Sequence, residues 1–505
     1  MNHIKKTVVA VTLLATQFGI AQNITDVVRA SEENIQGTAR YQAMAGAFGA
    51  LGGDLSAINN NPAGSAVFTH NLYTVTGSHL HNTSDASYFG TRSNSTNNSV
   101  DISQAGGVFV FNNTLDESPW KKITLALNYD ISNNLNSRKF IAGTSTQGAD
   151  NYFLNFAQGV PFGPLLLQDG EYLEEAYLDI GSSLGYVDQQ AFLGYYGGII
   201  DPVDATDNAN TAYTSNAIYN TVNQKFLERT TGYNSKFTAN VATQYQNNLY
   251  LGASLNFHTI LYNSYTSLDE RGYDAASPIQ YINFDNRLIT EGNGFSFNLG
   301  AIARITDVIR LGASYQSPTW YGLTDETSQR INSDLADDDI EFIDFSIINI
   351  FERYRIKTPG KITASAALVI NKQGIISFDY GFQDFTTAEL RPKNDANFTS
   401  VNADIKQTLT TVNSYRIGGE YRIANLSLRA GYRTEDRPFI LLNNDGRTEA
   451  YSGGIGYHFG NNKIDLGFSN TKLNSTSNLL GTGFSTAAQL QNTGTQINLS
   501  YSAFF

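Results

Sequence analysis

The last ten residues of the chain, 496–505, alternate between apolar and polar side chains and end on a phenylalanine. Because successive side chains of a β-strand point to opposite faces, this alternation predicts a strand with one apolar and one polar face. The same period recurs upstream, most clearly over residues 123–132, 249–262, 295–304 and 414–423. The apolar faces of these segments carry no charged residue. A charged residue on a lipid-facing surface would cost roughly 2–4 kcal/mol. The chain is therefore predicted to consist mainly of amphipathic strands.

The lengths and connections of these segments favour a barrel over a β-sandwich. Each runs about 9–12 residues, the length that a tilted strand needs to cross a bilayer, whereas sandwich strands are usually shorter. About 14 such segments follow residue 70, and bacterial outer-membrane barrels have even strand numbers. Short connections alternate with long ones, the long ones being 133–232, 263–292, 317–360, 384–410 and 470–493. We predict an all-β fold, a transmembrane antiparallel β-barrel of about 14 strands with short periplasmic turns and long external loops.

Composition narrows the function classes. The formal net charge is −13, from 33 Lys+Arg against 46 Asp+Glu, which argues against nucleic-acid binding because phosphates demand a basic face. The chain has no cysteine, so neither a disulfide framework nor thiolate chemistry is available. Mean hydropathy is −0.27, and no apolar run beyond the N-terminus is long enough for a membrane helix. A barrel remains compatible because only alternate residues of its strands face lipid.

The N-terminal residues divide into two parts before the first predicted strand. Lys5 and Lys6 precede an apolar run over residues 7–20, and small residues surround Ala21. This pattern predicts a secretory signal peptide over residues 1–21, the alternative being a buried N-terminal helix of the mature fold. Residues 22–70 are rich in Gly, Ala and Asn and lack alternation. We therefore expect a signal peptide (1–21), a non-barrel N-terminal segment (22–70) and a barrel (71–505).

Residues 43–64 read Ala-Met-Ala-Gly-Ala-Phe-Gly-Ala-Leu-Gly-Gly-Asp-Leu-Ser-Ala-Ile-Asn-Asn-Asn-Pro-Ala-Gly. This segment resembles the N-terminal hatch of the FadL-like family, the outer-membrane channels for long-chain fatty acids and aromatic hydrocarbons. Asn61, Pro62, Ala63 and Gly64 match the family's motif fully, whereas Ala45 replaces one of its glycines. The resemblance implies that residues 22–70 form a hatch inside the lumen, and that the Asn-Pro-Ala-Gly turn belongs to the gate that controls passage.

Physical reasoning supports a hatch. A barrel of about 14 strands is too wide for its own side chains to fill, so it would leak without a plug. Small residues let a hatch backbone pack closely inside the lumen. Pro62 fixes its own φ angle and biases Asn61 toward an extended conformation, which gives a rigid turn. The alternative is an ordinary Asn-Pro turn without a gating role.

Several polar residues are predicted to face the lumen because of their position in the alternation. An inward arginine can pair with a substrate carboxylate, or it can belong to ion pairs that hold the hatch to the wall. These candidate lumen contacts are His258, Arg304, Arg416, Arg422 and Arg429. His79 and His81 share one strand face, but a metal site needs a third ligand that the neighbouring sequence does not supply. We predict no metal and no cofactor.

The resemblance implies passive uptake of hydrophobic small molecules, with capture near the external loops, transfer past the hatch and exit through a gap in the wall. The alternative is a FadL-like barrel adaptor for protein secretion or surface attachment. An outer-membrane lipid hydrolase would need a Ser/His pair; His258 and His458 face inward, but no nucleophile motif accompanies them, so we predict no enzyme.

The long connection at 133–232 departs from the better-known family layout. Its apolar stretch, residues 161–167, predicts either an exposed contact surface or a cap folded over itself. Expected partners are the hydrophobic substrate, outer-membrane lipid and lipopolysaccharide, and the barrel assembly machinery, which would recognise the terminal strand ending at Phe505.

Overall fold

The computed structural model describes residues 23–115, 117–371, 373–440 and 446–505. The predicted signal peptide, residues 1–21, lies outside the described residues. The strands are β1 (Leu72–Tyr88), β2 (Thr91–Asn112), β3 (Trp120–Asn134), β4 (Ser137–Ser145), β5 (Ile200–Pro202), β6 (Tyr213–Ser215), β7 (Val222–Tyr245), β8 (Leu249–Arg271), β9 (Tyr281–Arg304), β10 (Ile309–Gln316), β11 (Trp320–Ser333), β12 (Asn349–Ile350), β13 (Tyr354–Lys357), β14 (Lys361–Ile370), β15 (Gly374–Asp384), β16 (Glu389–Arg391), β17 (Thr411–Ile423), β18 (Leu426–Glu435), β19 (Thr448–Phe459), β20 (Asn462–Ser477) and β21 (Ala488–Phe504).

Helices lie before the first strand and between strands. The α-helices are α1 (Ile24–Ser31), α2 (Ala39–Ala43), α3 (Ala57–Asn60), α4 (Asp150–Ala157), α5 (Leu173–Ser183), α6 (Tyr186–Tyr196) and α7 (Ala396–Thr408). Short 3-10 helices span Pro62–Val67, Gly163–Leu165, Asp338–Phe342 and Phe385–Thr387. Within the described ranges, no helix is both long and apolar enough to cross a membrane.

The strands close into a barrel of 14 antiparallel strands, which confirms the predicted fold class. Closure occurs between the first and last strands, whose register runs from Leu72↔Phe504 to Ser87↔Gln489. Four strands of the wall are each interrupted once, so that β3 continues as β4, β10 as β11, β13 as β14 and β15 as β16. The short β7–β8, β9–β10, β14–β15, β17–β18 and β19–β20 connections lie at one end of the barrel. The long connections lie at the other end, together with the two-residue β1–β2 turn, Phe89-Gly90.

The predicted alternation of faces is present in the wall. In β3, Leu125 and Leu127 are 45% and 48% exposed, whereas Thr124 and Asn128 on either side of this pair are fully buried. The same contrast recurs around the barrel, where large apolar residues are exposed on the outer face. Such an outer face is stable only against lipid, because water would leave this apolar surface unburied.

Strand lengths and loop boundaries differ from the prediction. β7, β8 and β9 have 24, 23 and 24 residues, about twice the expected length. Two long connections shrink accordingly, from 133–232 to 146–221 and from 263–292 to 272–280. The reason is that outward residues stop being apolar at the edge of the bilayer while backbone pairing continues beyond it. Apolar periodicity detects only the part of each strand in contact with lipid.

The connection 146–221 folds into a compact helical cap formed by α4, α5, α6 and the β5–β6 hairpin. Phe153, Tyr177 and Phe192 are fully buried in one apolar cluster. The cluster also includes Phe284 of β9 and Ile331 of β11, so the cap packs onto the extended ends of the wall strands. Of the two alternatives for this loop, the structure shows the cap rather than an exposed apolar surface.

Candidate functional site in the barrel lumen

Residues 23–70, here called the lumenal segment, lie against the inner face of the wall. α2 contacts β18, β19, β20 and β21, whereas the 3-10 helix Pro62–Val67 contacts β3, β7, β8 and β9. α1 packs higher in the lumen, where Val27 and Val28 join an apolar cluster with residues of β11, β13 and α7. The segment thus bridges opposite sides of the barrel.

Wall glycines make this close approach possible. Several inward positions are glycines whose added Cβ would lie within 3.0 Å of the lumenal segment, and these are Gly252, Gly300, Gly312, Gly418, Gly431, Gly454 and Gly467. A Cβ on Gly252, for example, would lie 2.4 Å from the carbonyl carbon of Pro62. Real Cβ atoms do not approach so closely, so a side chain at these positions would displace the segment.

The Asn61-Pro62-Ala63-Gly64 turn is anchored to the wall at β7 and β9. The Asn61 side chain accepts a hydrogen bond from the Ala63 N–H (3.1 Å), capping the 3-10 helix. Its Nδ2 donates to the carbonyl oxygens of Gly49 (2.7 Å) and Ala301 (3.0 Å). The Pro62 carbonyl accepts from Asn240 Nδ2 (3.0 Å). The turn is fully buried, so its amide and carbonyl groups depend on these partners.

A buried ion cluster joins the lumenal segment to the opposite wall. Glu420 of β17 accepts from Arg40 Nε of α2 (2.8 Å) and from Arg429 Nε of β18 (2.6 Å). Arg429 Nη1 also contacts Asp465 of β20 (2.8 Å), which pairs with Lys463 (2.7 Å). Every member named here is nearly or fully buried, so each charge requires its partner.

The predicted lumen contacts hold different positions. Arg422 reaches the same cluster through Glu420 (2.6 Å), and Arg416 Nη1 donates to Asn60 Oδ1 (3.0 Å). His258 Nε2 is 2.9 Å from Ser296 Oγ in the wall. Arg304 lies at the end of β9, partly exposed, and pairs with Asp307 of the following turn. Thus Arg416, Arg422 and Arg429 connect with the lumenal segment or its ion cluster, whereas Arg304 lies at the periplasmic rim.

The two histidines considered for metal binding lie on the outer face of β1. His79 is exposed, and His81 Nδ1 is 2.8 Å from Asn98 Oδ1 of β2. In the described part of the chain, no group of three or more His, Cys, Asp or Glu residues could hold a metal ion.

A cavity of about 480 Å³ lies between the lumenal segment and the wall. Both charged and apolar side chains line the cavity, and the charged ones include Arg29, Glu32 and Arg433. Its larger apolar residues are Val28, Ile35, Leu80, Leu135, Phe439 and Leu473. Such a mixture of an apolar surface with a few polar groups is characteristic of small-molecule sites.

Beside this cavity, the boundary between β2 and the β3–β4 strand lacks backbone pairing over its external part. β2 and β3 pair only from Gln104↔Asp130 to Asn112↔Lys122. Toward the external end, residues 91–103 and residues 131–145 each pair with their other neighbour, and the described residues show no strand pairing between them. We call this boundary the seam. Residues 133–135 and 137–139 line both the seam and the cavity.

Side chains bridge the seam instead. Asn134 Nδ2 donates to Asp101 Oδ2 (2.8 Å) and to Ser99 Oγ (3.2 Å). Ser93 Oγ donates to the Phe140 carbonyl (2.7 Å). Alternation could not reveal the seam or the cavity, because both depend on which strands pair. The Asn-Asn-Leu-Asn run at 133–136 was the available signal, since clustered Asn residues favour a break in a strand.

Known proteins of similar sequence and structure identify the family to which this architecture belongs. The sequence model of the outer membrane protein transport proteins (OMPP1/FadL/TodX) matches residues 209–495. The crystal structure of a Pseudomonas aeruginosa FadL homologue is similar at a TM-score of 0.56 and 12% identity, covering 93% of this chain and 99% of that one. The toluene transporter TodX of Pseudomonas putida gives a TM-score of 0.49 at 13% identity, and the match covers 94% of this chain and 100% of that one. The toluene transporter TbuX of Ralstonia pickettii gives a TM-score of 0.47 at 13% identity, and the match covers 93% of this chain and 98% of that one.

Curated protein sequences gave no match. The family model covers more than half of the chain, and the FadL homologue shares its fold. The chain is therefore a member of the outer membrane protein transport family (OMPP1/FadL/TodX) and resides in the bacterial outer membrane.

Proposed function

We propose that this barrel is a channel for the passive uptake of hydrophobic small molecules, such as long-chain fatty acids or aromatic hydrocarbons. The observation that carries the proposal is the partly apolar lumen cavity directly behind the seam. A sealed polar lumen would instead have favoured an adaptor. Relatives support the substrate class, since one similar structure is described as a monoaromatic hydrocarbon channel and another as a toluene transporter.

The energetics suit a hydrophobic cargo. Each methylene removed from water contributes about 0.8 kcal/mol, so an acyl chain lying along Leu80, Leu135 and Phe439 gains several kcal/mol. A cargo that leaves through the seam enters the bilayer without returning to water. Binding and partitioning then drive transfer down the concentration gradient, and no other energy input is needed.

The lumenal segment acts as the gate in this proposal. The turn formed by Asn61, Pro62, Ala63 and Gly64 is held through Asn61, which bonds both Gly49 and Ala301 of β9. On the opposite side, the ion cluster around Glu420 holds Arg40 of the same segment. Together these contacts close the direct route to the periplasm. A lateral route through the seam avoids disrupting them.

Locking the seam tests the exit. Asp101→Cys/Asn134→Cys introduces the only two thiols of the chain, at side chains that are hydrogen-bonded across the seam. A bismaleimide reagent with a reducible spacer should abolish uptake of labelled oleate or toluene by cells, and reduction should restore it. Asp85→Cys/Asn94→Cys is the matched control, because these residues are hydrogen-bonded (2.7 Å) across the fully paired β1–β2 boundary.

The outcomes separate two claims. If the locked barrel transports as fast as the control, exit through the seam is wrong. If even the untreated barrel does not accelerate uptake over cells without it, the channel function is wrong. Arg433→Gln then distinguishes cargoes: a fatty acid whose carboxylate contacts the cavity arginine loses uptake, whereas toluene uptake is unchanged.

The adaptor alternative lacks a corresponding observation. The large cap loop buries most of its apolar residues in its own cluster, which leaves little of the apolar surface that an adaptor would present to a partner. We also propose, from the resemblance, that the assembly machinery recognises the β21 strand ending at Phe505.

A further inference from the structure

The outer face of the barrel carries a cluster of cations on β13, β16 and the residues beside them. Arg355 and Lys357 alternate with the buried Tyr354 and Ile356, so the two cations point outward. Arg353 precedes the strand with the same parity and is exposed. We call Arg353, Arg355, Lys357, Arg391 and Lys393 the basic patch.

The register brings the members of the basic patch together. Arg355 lies opposite Arg391, and Lys357 opposite Glu389, on the neighbouring β16 strand. On the other side, Arg355 lies opposite Gly322 of β11. A Cβ at Gly322 would be 2.7 Å from Arg353 Nη2, so the Arg353 guanidinium lies over this glycine. Directly opposed residues in antiparallel strands have Cβ atoms about 5 Å apart, which places the cations of Arg355 and Arg391 side by side.

Only part of this charge is neutralised. Glu389 pairs with Arg391 (3.0 Å) and with Lys393 (2.7 Å). Among the described residues, no carboxylate lies within 4.0 Å of a charged nitrogen of Arg353, Arg355 or Lys357. Of the outward acids along β9 and β11, Glu291 lies beyond Thr324, two strands away from Arg353, and Glu326 lies farther toward the external end. In a chain with net charge −13, five cations clustered around Glu389 are unusual.

The height of the basic patch on the barrel points to its ligand. Lys357 lies opposite Trp320, which is 43% exposed, and Trp320 lies opposite Phe295. Below them the outer face is apolar, with Tyr315, Ile362 and Phe382 exposed. Outward aromatic residues mark the interface of a barrel with the headgroup region. The cations therefore lie at headgroup level on the external side, directly above the surface that acyl chains contact.

We propose that the basic patch binds the phosphate groups of an outer-leaflet lipid, whose acyl chains lie on the apolar surface below. Arginine guanidinium groups suit this role because they form paired hydrogen bonds with phosphate oxygens. Like-charged residues directly opposite each other destabilise a sheet, and a bound phosphate would remove that repulsion. The site is independent of the lumen and of the proposed transport function.

The test measures binding of lipid A to the purified barrel in detergent by native mass spectrometry. Arg353→Gln/Arg355→Gln/Lys357→Gln should weaken binding of diphosphorylated lipid A at least about tenfold, which corresponds to 1.4 kcal/mol. Lys225→Gln/Arg229→Gln/Lys472→Gln is the matched control, because it removes the same charge from exposed residues on β7 and β20. The control variant should bind as the parent does, and heat-modifiable gel mobility should show that both variants are folded.

Three results would overturn the proposal. The basic-patch variant could retain the affinity of the control, or dephosphorylated lipid A could bind as tightly as the phosphorylated form. Inorganic phosphate could also give the same variant-dependent binding at equal concentration, which would indicate an anion site without lipid recognition. Uptake of hydrophobes should be unchanged in the basic-patch variant, so failure of this site and failure of the channel are distinguishable.

Discussion

At the scale of single residues, the neighbouring glycines Gly418 and Gly419 of β17 show how the wall accommodates the lumenal segment. Gly418 faces the lumen, where a Cβ would lie 2.5 Å from the Met44 carbonyl oxygen. Gly419 faces outward, where the nearest atom to a Cβ is the Ile375 carbonyl oxygen at 3.6 Å. We expect Gly418→Ala to displace the lumenal segment, lowering the melting temperature and raising single-channel conductance in planar bilayers.

Gly419→Ala is the matched control for this substitution. It adds the same methyl group to the same strand, in ordinary van der Waals contact, so both the conductance and the melting temperature should equal those of the parent. Equal conductance in the two variants would show that the lumenal segment does not depend on the bare wall at this position.

Glu420 is the residue on which the buried ion cluster depends. Its carboxylate contacts Arg40, Arg422 and Arg429, and the side chain is fully buried. Glu420→Gln leaves buried arginines without a counter-charge, a change that typically costs about 3–5 kcal/mol. We expect this loss in the free energy of unfolding measured by urea titration in detergent. Asp269→Asn, which breaks an exposed pair with Arg271, should cost under about 1 kcal/mol.

Sequence periodicity predicted the orientation of such residues but not their partners. Arg416, Arg422 and Arg429 face inward as expected from alternation. That the Arg429 neighbour Glu420 also binds Arg40 could not be predicted, because the two residues are 380 positions apart in the chain. Arg304 follows the same parity but lies at the end of its strand, and alternation contains no information about height in the barrel.

At the scale of elements, the helical cap contains a buried acid that should make its stability depend on pH. Asp150 of α4 accepts a hydrogen bond from Tyr219 (2.7 Å), and the carboxylate of Glu270 accepts the adjacent Ala149 N–H (3.0 Å). Burial raises the pKa of Asp150, and hydrogen bonds from Ser215 and Tyr219 offset part of the increase. The folded cap therefore favours the protonated carboxyl.

The sign of the pH effect follows from this preference. A carboxyl with a raised pKa in the folded state destabilises that state as pH rises above its ordinary pKa of about 3.9. We expect limited proteolysis of the cap to be slower at about pH 4 than at pH 7. Asp150→Asn should reduce this difference without accelerating cleavage at pH 7. Faster cleavage of that variant at pH 7 would mean that the ionised form stabilises the cap.

Some elements of the fold could be predicted from the sequence and others could not. Strands in contact with lipid were predictable because only alternate apolar residues satisfy a bilayer on one side and a polar lumen on the other. The extensions of β7, β8 and β9 and the helices of the cap were not, since outside the bilayer their outward residues follow no single pattern. The cap could be anticipated only as one of two alternatives, from the apolar stretch at 161–167.

At the scale of the whole molecule, the terminal residue completes the closure of the barrel. The Phe505 ring stacks on Tyr73 of β1, with ring centroids 4.9 Å apart, and its N–H donates to the Asn71 carbonyl (3.2 Å). Phe505→Ala removes this contact at the edge where the first and last strands meet. We expect less folded barrel in outer-membrane fractions, assayed by heat-modifiable mobility on gels.

Tyr501→Ala serves as the control, since it removes an outward aromatic residue from the same strand without affecting the chain end. A similar loss in both variants would attribute the effect to general loss of aromatic surface rather than to closure or recognition of the terminus.

The anchoring of the lumenal segment has a consequence for the order of events during biogenesis. The Ala39 N–H donates to Ser500 Oγ (2.7 Å), and Gln496 donates to Gln36 (2.8 Å). The portion of the chain that is synthesised and exported early thus finds its partners on the last strand, more than 450 residues later. Contacts of such long sequence separation form late in folding because the entropy of loop closure must be met first. We therefore expect the barrel to pass through a stage in which the lumenal segment is not yet docked, and insertion of the final strand to supply the groups that dock it.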